Sequence, residues 1–244
     1  MISIFDSGIG GISIVREVKK VLPQAPLFYF GDTAYMPYGS KTPAEIFVRL
    51  KWFIETYDKQ TDMYVIACNS ATVSLIDDYR KLSHKPFIGV EPGIKPAVAA
   101  THTKQVAVLA TPKTANSPQL QHLIQSHGAG VQFHIIACDG LAEAIERQPK
   151  QIDVLLKKYL RTISTEVDTV VLACTHYPLI LDRIQKWLGD NRTTIDVSPA
   201  VAKHVAHIYN KTLPQKINGT PGITFECSGD RAAFLTRIQE FGIR

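Results

Sequence analysis

Two cysteines stand in near-identical settings in opposite halves of the chain: Cys68 in VIACNSAT (65–72) and Cys174 in VVLACTHYP (170–178). Each follows an apolar run and an alanine, and each opens a short polar stretch. One thiol per half, delivered this way, suits a site with a sulfur on each face of a substrate. One sulfur would take a proton from a carbon while the other returns a proton from the opposite side. A thiol with a pKa of ~8.5 in water falls well below that at a helix N-terminus or beside a protonated histidine. Both cysteines are expected just before helices, and Cys174 also has His176 close behind it. The remaining cysteines, Cys138 and Cys227, read as small hydrophobes. With no CxxC pair and no secretory signal, the four cysteines predict neither structural zinc nor a disulfide framework.

The elements that must carry these loops alternate. Short apolar strands are predicted at 2–5, 27–30, 63–67 and 87–90, with helices at 12–21, 42–54 and after Cys68. Thr42, Pro43 and Glu45 form the capping signal of the second helix. The rhythm restarts with strands at 106–110, 131–137 and 169–173 and helices at 118–126 and 152–162, and ITFECSGD (223–230) reads as a late strand and turn. Alternation of this kind makes parallel sheets with helices on both faces.

Three strand-end loops recur at nearly one spacing: Asp6 with Thr111, Asp32 with Asp139, and Cys68 with Cys174. The expected fold is therefore α/β: two pseudo-symmetric doubly wound domains whose parallel-rich sheets face each other across a central cleft. Residues 1–93 plus about 205–244 would form the first domain, carrying Asp6 and Cys68. Residues 94–204 would form the second, carrying Thr114 and Cys174.

In open α/β sheets ligands bind beyond the carboxyl ends of the strands. Asp6, Ser7, Asp32, Cys68, Asn69, Thr111, Cys174, Thr175 and His176 all fall there. DSGIGG (6–11) permits a tight turn and close backbone approach, yet lacks the lysine of a phosphate-binding loop and the spacing of a dinucleotide fingerprint. GDTAYMPYGSK (31–41), at a strand end, reads as a substrate wall. Asp6, Asn69 and Thr175 could equally be helix caps, a role compatible with binding.

The formal charge of +5 comes from scattered basic residues, which predicts a solvated surface rather than a nucleic-acid stripe, and would draw in a dianionic small substrate. The glycines of the N-terminal segment interrupt any signal-peptide core, and no apolar run is long enough to span a bilayer. A soluble, cytoplasmic protein without a membrane or nucleic-acid partner is expected.

In order and spacing, DSGIGG, GDTAYMPYGSK, ACNSAT, GVEPG, ACTHYP and CSGD resemble the glutamate racemases of bacterial cell-wall synthesis over nearly the whole chain. The resemblance implies a racemase that uses no pyridoxal phosphate, metal or nucleotide, binds glutamate between two related α/β domains, and forms a homodimer. By analogy Cys68 deprotonates D-glutamate and Cys174 L-glutamate, with Asp6 and His176 assisting the respective cysteines and Glu146 near the second. Asp6, Ser7, Tyr38, Gly39, Asn69, Ser70, Thr114, Thr175 and His176 match positions that hold the substrate's carboxylates and ammonium group. The chain departs from the pattern at Ser70, where threonine is usual, at Leu120 and Asp139, and in IDVSPA (195–200). Rival readings are a racemase of aspartate or another acidic amino acid, a cysteine hydrolase built on Cys174 and His176, and a binding protein without activity.

Overall fold

The computed structural model describes residues 1–212 and 220–242. In the first half the chain runs β1 (Ile2–Asp6), α1 (Ile12–Val21), β2 (Pro26–Gly31), α2 (Pro43–Tyr57), β3 (Met63–Ile66), α3 (Asn69–Arg80), β4 (Phe87–Gly89) and α4 (Ile94–Ala100). The second half repeats the alternation: β5 (Gln105–Ala110), α5 (Pro112–Ala115), α6 (Pro118–His127), β6 (Gln132–Ala137), α7 (Leu141–Arg147), α8 (Ile152–Leu160), β7 (Thr169–Ala173), α9 (Leu181–Leu188) and β8 (Thr193–Ile195). The chain closes with α10 (Ser198–Thr212), β9 (Gly222–Cys227) and α11 (Arg231–Glu240).

All strand pairings among the described residues are parallel. The first sheet has the order β4-β3-β1-β2-β9 and the second β6-β5-β7-β8. Strand for strand, β2-β1-β3-β4 and β6-β5-β7-β8 are one arrangement built twice. The final segment returns to the first sheet: β9 pairs with β2, and Ala202, Val205 and Tyr209 of α10 join the core that holds α1. Of the closing stretch expected at 205–244, residues 213–219 and 243–244 lie outside the described residues.

The strands read as apolar runs because both faces are covered, the usual state of a parallel sheet. Side chains alternate between those faces with period two. Leu27 and Tyr29 enter one core while Phe28 and Phe30 enter the other. In the second sheet Leu109 and Leu172 face one layer, and Val108 and Val171 the opposite one. One face of the first sheet is aromatic: Phe5 lies 4.9 Å from Phe53, and Phe28 lies 4.7 Å from Tyr57. Burial of rings on this scale anchors α2 to the sheet.

The strand register corrects the pairing of loops. Asp32 N donates to Asp6 O, and Cys138 N donates to Ala110 O in the same place. The counterpart of Asp6 is thus Ala110, and that of Asp32 is Cys138. Thr111 and Asp139 each lie one residue too far, because polar residue types suggested a match that the backbone ladder decides. Cys68 and Cys174 keep their equivalence, one residue past the ladder positions Ala67 and Ala173.

The stretch after β5 forms a short helix, α5: Thr111 Oγ1 accepts from Thr114 N at 3.3 Å, and Pro112 needs no amide partner in the first turn. The expectation of a helix directly after each cysteine holds only for the first. Cys68 is the N-cap of α3, but Cys174 is followed by a 3₁₀ turn over Tyr177–Ile180 before α9 begins. The capping box of α2 forms in full, with Glu45 Oε2 accepting from Thr42 N at 2.7 Å and Thr42 Oγ1 accepting from Glu45 N at 3.3 Å. Thr42→Ala should therefore destabilise the protein by about 1 kcal/mol in urea unfolding monitored by circular dichroism.

Candidate active site

The carboxyl edges of the two sheets meet. Asp6 ends β1 and Ser7 follows it; Cys68 opens α3; Thr111 opens α5; Cys174 follows β7. Contacts cross the seam directly. Thr175 Oγ1 donates to Asp6 Oδ2 at 3.0 Å, and Ser70 and Thr111 share a hydroxyl hydrogen bond of 2.9 Å. Between them lies a cavity of about 20 Å³ with both thiols, Cys68 and Cys174, on its wall. Its space matches roughly one water.

On the first side, Cys68 Sγ donates to Ser7 Oγ at 3.7 Å. Burial pushes this thiol up to about 12, and the charge of Asp6 adds to the effect; the Ala71 N–H at the start of α3 and Ser7 pull the other way. Cys68 is therefore a thiol in the closed site. Beside it, Asn69 Nδ2 donates to Val90 O at 3.1 Å, while its Oδ1 is buried with no partner among the described residues. A free acceptor on a cavity wall can receive a cationic N–H group.

On the second side three groups stand in line. His176 Nδ1 is 3.8 Å from Cys174 Sγ, and His176 Nε2 is 2.8 Å from Glu146 Oε2. Burial would lower the ring's pKa, but the hydrogen bonds to Cys174 and Glu146 and their charges outweigh it, so His176 is held well above the usual imidazole range. With both nitrogens protonated, the ring donates to sulfur on one side and to carboxylate on the other. The same Glu146 oxygen also accepts from Ile9 N, at 2.9 Å, in the glycine loop of the opposite half.

Asp6 faces this side as well. Its carboxylate accepts from Gly8 N at 2.9 Å and from Thr175. Burial raises its pKa, against the lowering effects of His176 and these two donors. The hydrogen-bond partner of Cys68 is Ser7 and not Asp6.

The glycines of DSGIGG now have a reason. A Cβ at Gly10 would lie 2.4 Å from His176 Nδ1 and 2.6 Å from Thr175 Oγ1. A Cβ at Gly8 would lie 2.5 Å from Glu146 Oε2. The loop is bare, and Glu146, Thr175 and His176 of the second half press against it.

Most of the residues singled out from sequence come together. Ser7, Tyr38, Gly39, Asn69, Ser70, Thr175 and His176 line the cavity with the two cysteines. Asp6, Glu146 and Thr114 stand just behind that wall; Thr114 receives the hydroxyl of Thr111 at 3.2 Å. Thr111, Met36, Pro37 and Ala142 are also on the wall: sequence reasoning put Thr111 at a ligand-binding strand end and Met36 and Pro37 within the substrate wall, and missed Ala142. Ala142 sits in an unexceptional helix and carries no local signal. The Tyr38 hydroxyl turns away to Asp32, which Arg49 grips with two nitrogens at 3.0 and 2.9 Å. Cys138 is buried and Cys227 half-buried, each bonded to a nearby carbonyl and away from the cavity wall.

Two parallel α/β units with a thiol from each reach one cavity, and the profile of the Asp/Glu/Hydantoin racemase family matches residues 12–205. The chain belongs to this family. Among its relatives, the glutamate racemase of Roseiflexus sp. (strain RS-1) is 36% identical, covering 99% of this chain and 92% of its own. That of Aliarcobacter butzleri (strain RM4018) is 38% identical over 84% and 82% respectively. Among solved structures, glutamate racemase isoform RacE1 from Bacillus anthracis superposes with a TM-score of 0.87 at 26% identity, covering 100% of this chain and 94% of that one. The Escherichia coli glutamate racemase, solved with L-glutamate and the activator UDP-MurNAc-ala, gives 0.84 at 28% identity, over 99% and 95%.

Gly10→Ala tests the close approach. It should lower turnover at least ~100-fold by displacing His176 and Thr175, while far-ultraviolet circular dichroism stays that of the parent.

Proposed function

We propose that the chain is a glutamate racemase, interconverting L- and D-glutamate with two cysteines and no cofactor, and supplying D-glutamate for peptidoglycan. One observation carries the reading: thiols from equivalent strand ends of the two halves share one closed cavity. Its domains are residues 1–93 with about 205–244, and residues 94–204. It works in the cytoplasm as a homodimer with no nucleic-acid partner. Among the described residues no helix is long and apolar enough to cross a membrane.

The α-proton of an amino-acid zwitterion is a poor acid, since its loss leaves a carbanion beside a carboxylate. Donors around the cavity, among them Ser7, Asn69, Ser70 and Thr175, hold the substrate's charged groups and stabilise that charge as it develops. The backbone of Tyr38 and Gly39, with Thr114 behind Thr111, completes the wall. The free Asn69 Oδ1 and the Asp6 carboxylate suit the ammonium group. One sulfur must be thiolate and the other thiol. Cys68 is the thiol of the closed site, which leaves the thiolate to Cys174, faced by the His176 imidazolium. Cys174 takes the α-proton of L-glutamate and Cys68 delivers its own proton to the opposite face. D-glutamate leaves, and the two sulfurs have exchanged roles. D-glutamate reacts by the reverse path. A cavity of about 20 Å³ is too small for glutamate, so its walls part for the substrate and close again to exclude water.

Incubation of the protein with either glutamate enantiomer in D₂O should end at the racemate, with deuterium at the α-carbon, as followed by circular dichroism and mass spectrometry. Aspartate turnover without glutamate turnover would replace the substrate. Cys68→Ser should collapse turnover from both enantiomers, whereas a hydrolase built on Cys174 and His176 would keep its activity.

The pH dependence follows from His176. Its raised pKa means that the protonated ring, and the stability it lends, is fully present below about 6.5 and is lost as pH climbs through the folded value. Glu146→Gln removes one of the groups that hold the proton. The alkaline limb of kcat/KM should therefore move to lower pH in the variant.

A further inference from the structure

CSGD and the helix after it have no part in the chemistry above, yet they reach the site. Ser228 N donates to Gly31 O at 3.1 Å, Ser228 Oγ accepts from Ala34 N at 3.1 Å, and Gly229 N donates to Thr33 Oγ1 at 3.2 Å. The motif is thus stitched to the loop after β2. Asp230 Oδ1 then accepts from Ala232 N at 2.9 Å and Ala233 N at 3.1 Å, capping α11. A helix begun so firmly at its N-terminus has a fixed direction.

Two side chains of α11 point at catalytic supports. Phe234 is buried and stacks on Tyr29, with centroids 6.2 Å apart and planes 13° from parallel. The Tyr29 hydroxyl donates to Gly8 O at 2.7 Å, within the glycine loop. One turn on, Arg237 Nε donates to Glu146 O at 3.2 Å and its Nη2 to Ile145 O. Those carbonyls end α7, where backbone acceptors have no intrahelical partner and the helix dipole is negative. A planar guanidinium satisfies both in a fixed geometry that an ammonium cannot reproduce. Arg147 of α7 donates in return to Thr33 O of the first half. Two arginines thus cross the seam in opposite directions, beside the residue whose carboxylate joins Ile9 to His176.

We propose that Arg237 is a positioning residue for the reaction: from the first half it grips the carbonyls of the turn that carries Glu146, and so fixes Glu146 against His176 and Cys174. This rests on the racemase reading for its catalytic consequence, but the geometry it describes is independent of substrate. Residues of a relay act only when held within a fraction of an ångström of their productive geometry.

The test compares Arg237→Met, which keeps the apolar stem, with Arg237→Lys, which keeps the charge but not the fork, and Glu240→Gln. The last removes the ion pair of Arg237 with Glu240 on the exposed side and leaves α7 untouched. Three measurements are made on each: steady-state kcat and KM with glutamate, melting temperature, and titration of the His176 ring by NMR of ¹⁵N-histidine-labelled protein. The charged and titratable groups facing that ring are Cys174, Glu146 and Asp6. In Arg237→Met, kcat should fall about tenfold or more, with KM changed far less, and His176 should lose its proton at lower pH than in the parent. Arg237→Lys should fall between, and Glu240→Gln should match the parent in both. An unchanged His176 titration in Arg237→Met overturns the proposal. So does a kcat loss matched by the loss of folded protein. Should Arg237→Met not fold, the lysine variant decides by the same two readouts. If the parent itself does not racemise glutamate, the substrate reading fails, while the His176 titration still settles the role of Arg237.

Discussion

His176 is shared between a sulfur and a carboxylate, 3.8 Å from Cys174 and 2.8 Å from Glu146, in a place closed to water. An imidazolium buried alone would lose its proton, and a carboxylate buried alone would gain one. His176 keeps its proton through Cys174 and Glu146, so their separation from the ring has to be held. Much of the surrounding structure serves that requirement. Ile9 N gives Glu146 a second hydrogen bond from the opposite half. Gly8 and Gly10 leave the space into which Glu146 and His176 fit. Arg237 and Arg147 tie together the elements on which these groups ride.

The two halves repeat a backbone and differ in chemistry. The ladder sets Ala110 opposite Asp6, so the second half has no carboxylate where the first has one. It takes its carboxylate instead from α7, as Glu146, and places a histidine after its cysteine where the first half has Asn69 and Ser70. Even Asp6 turns across the seam to Thr175. Cys68 is left with Ser7 and the amide end of α3, which pull its pKa down, while burial and the charge of Asp6 outweigh them and keep it a thiol. A symmetric scaffold thus presents an enantiomeric pair of substrates with two unlike faces.

Much of this was readable in advance, and the reasons differ by residue. Apolar runs broken by Thr42-Pro43 and Gly10-Gly11 marked elements because helix caps and strand burial are local effects. Cys68, Cys174, His176, Asn69 and Thr175 fell at strand ends, where parallel sheets bind ligands. The wrong partners for Asp6 and Asp32 came from matching residue types, which do not reveal register. Ala142 and Arg237 were silent for another reason. Nothing near them in the chain differs from an ordinary helix, and their importance lies in what faces them across the seam.

The amino-acid sequence by itself determined the doubly wound alternation, the repeated cysteine loops and most of the polar side chains that meet at the cavity. These depend on short-range patterns: period-two burial, capping and turn chemistry. Only the tertiary structure decided which side chain each carboxylate meets, because that depends on pairs far apart in the chain, such as Ile9 with Glu146 and Asp6 with Thr175. The same holds for the bare glycine loop and the arginines that cross the cleft. Distances between distant residues, set by packing one half against the other, turned a pair of similar cysteines into two unequal ones.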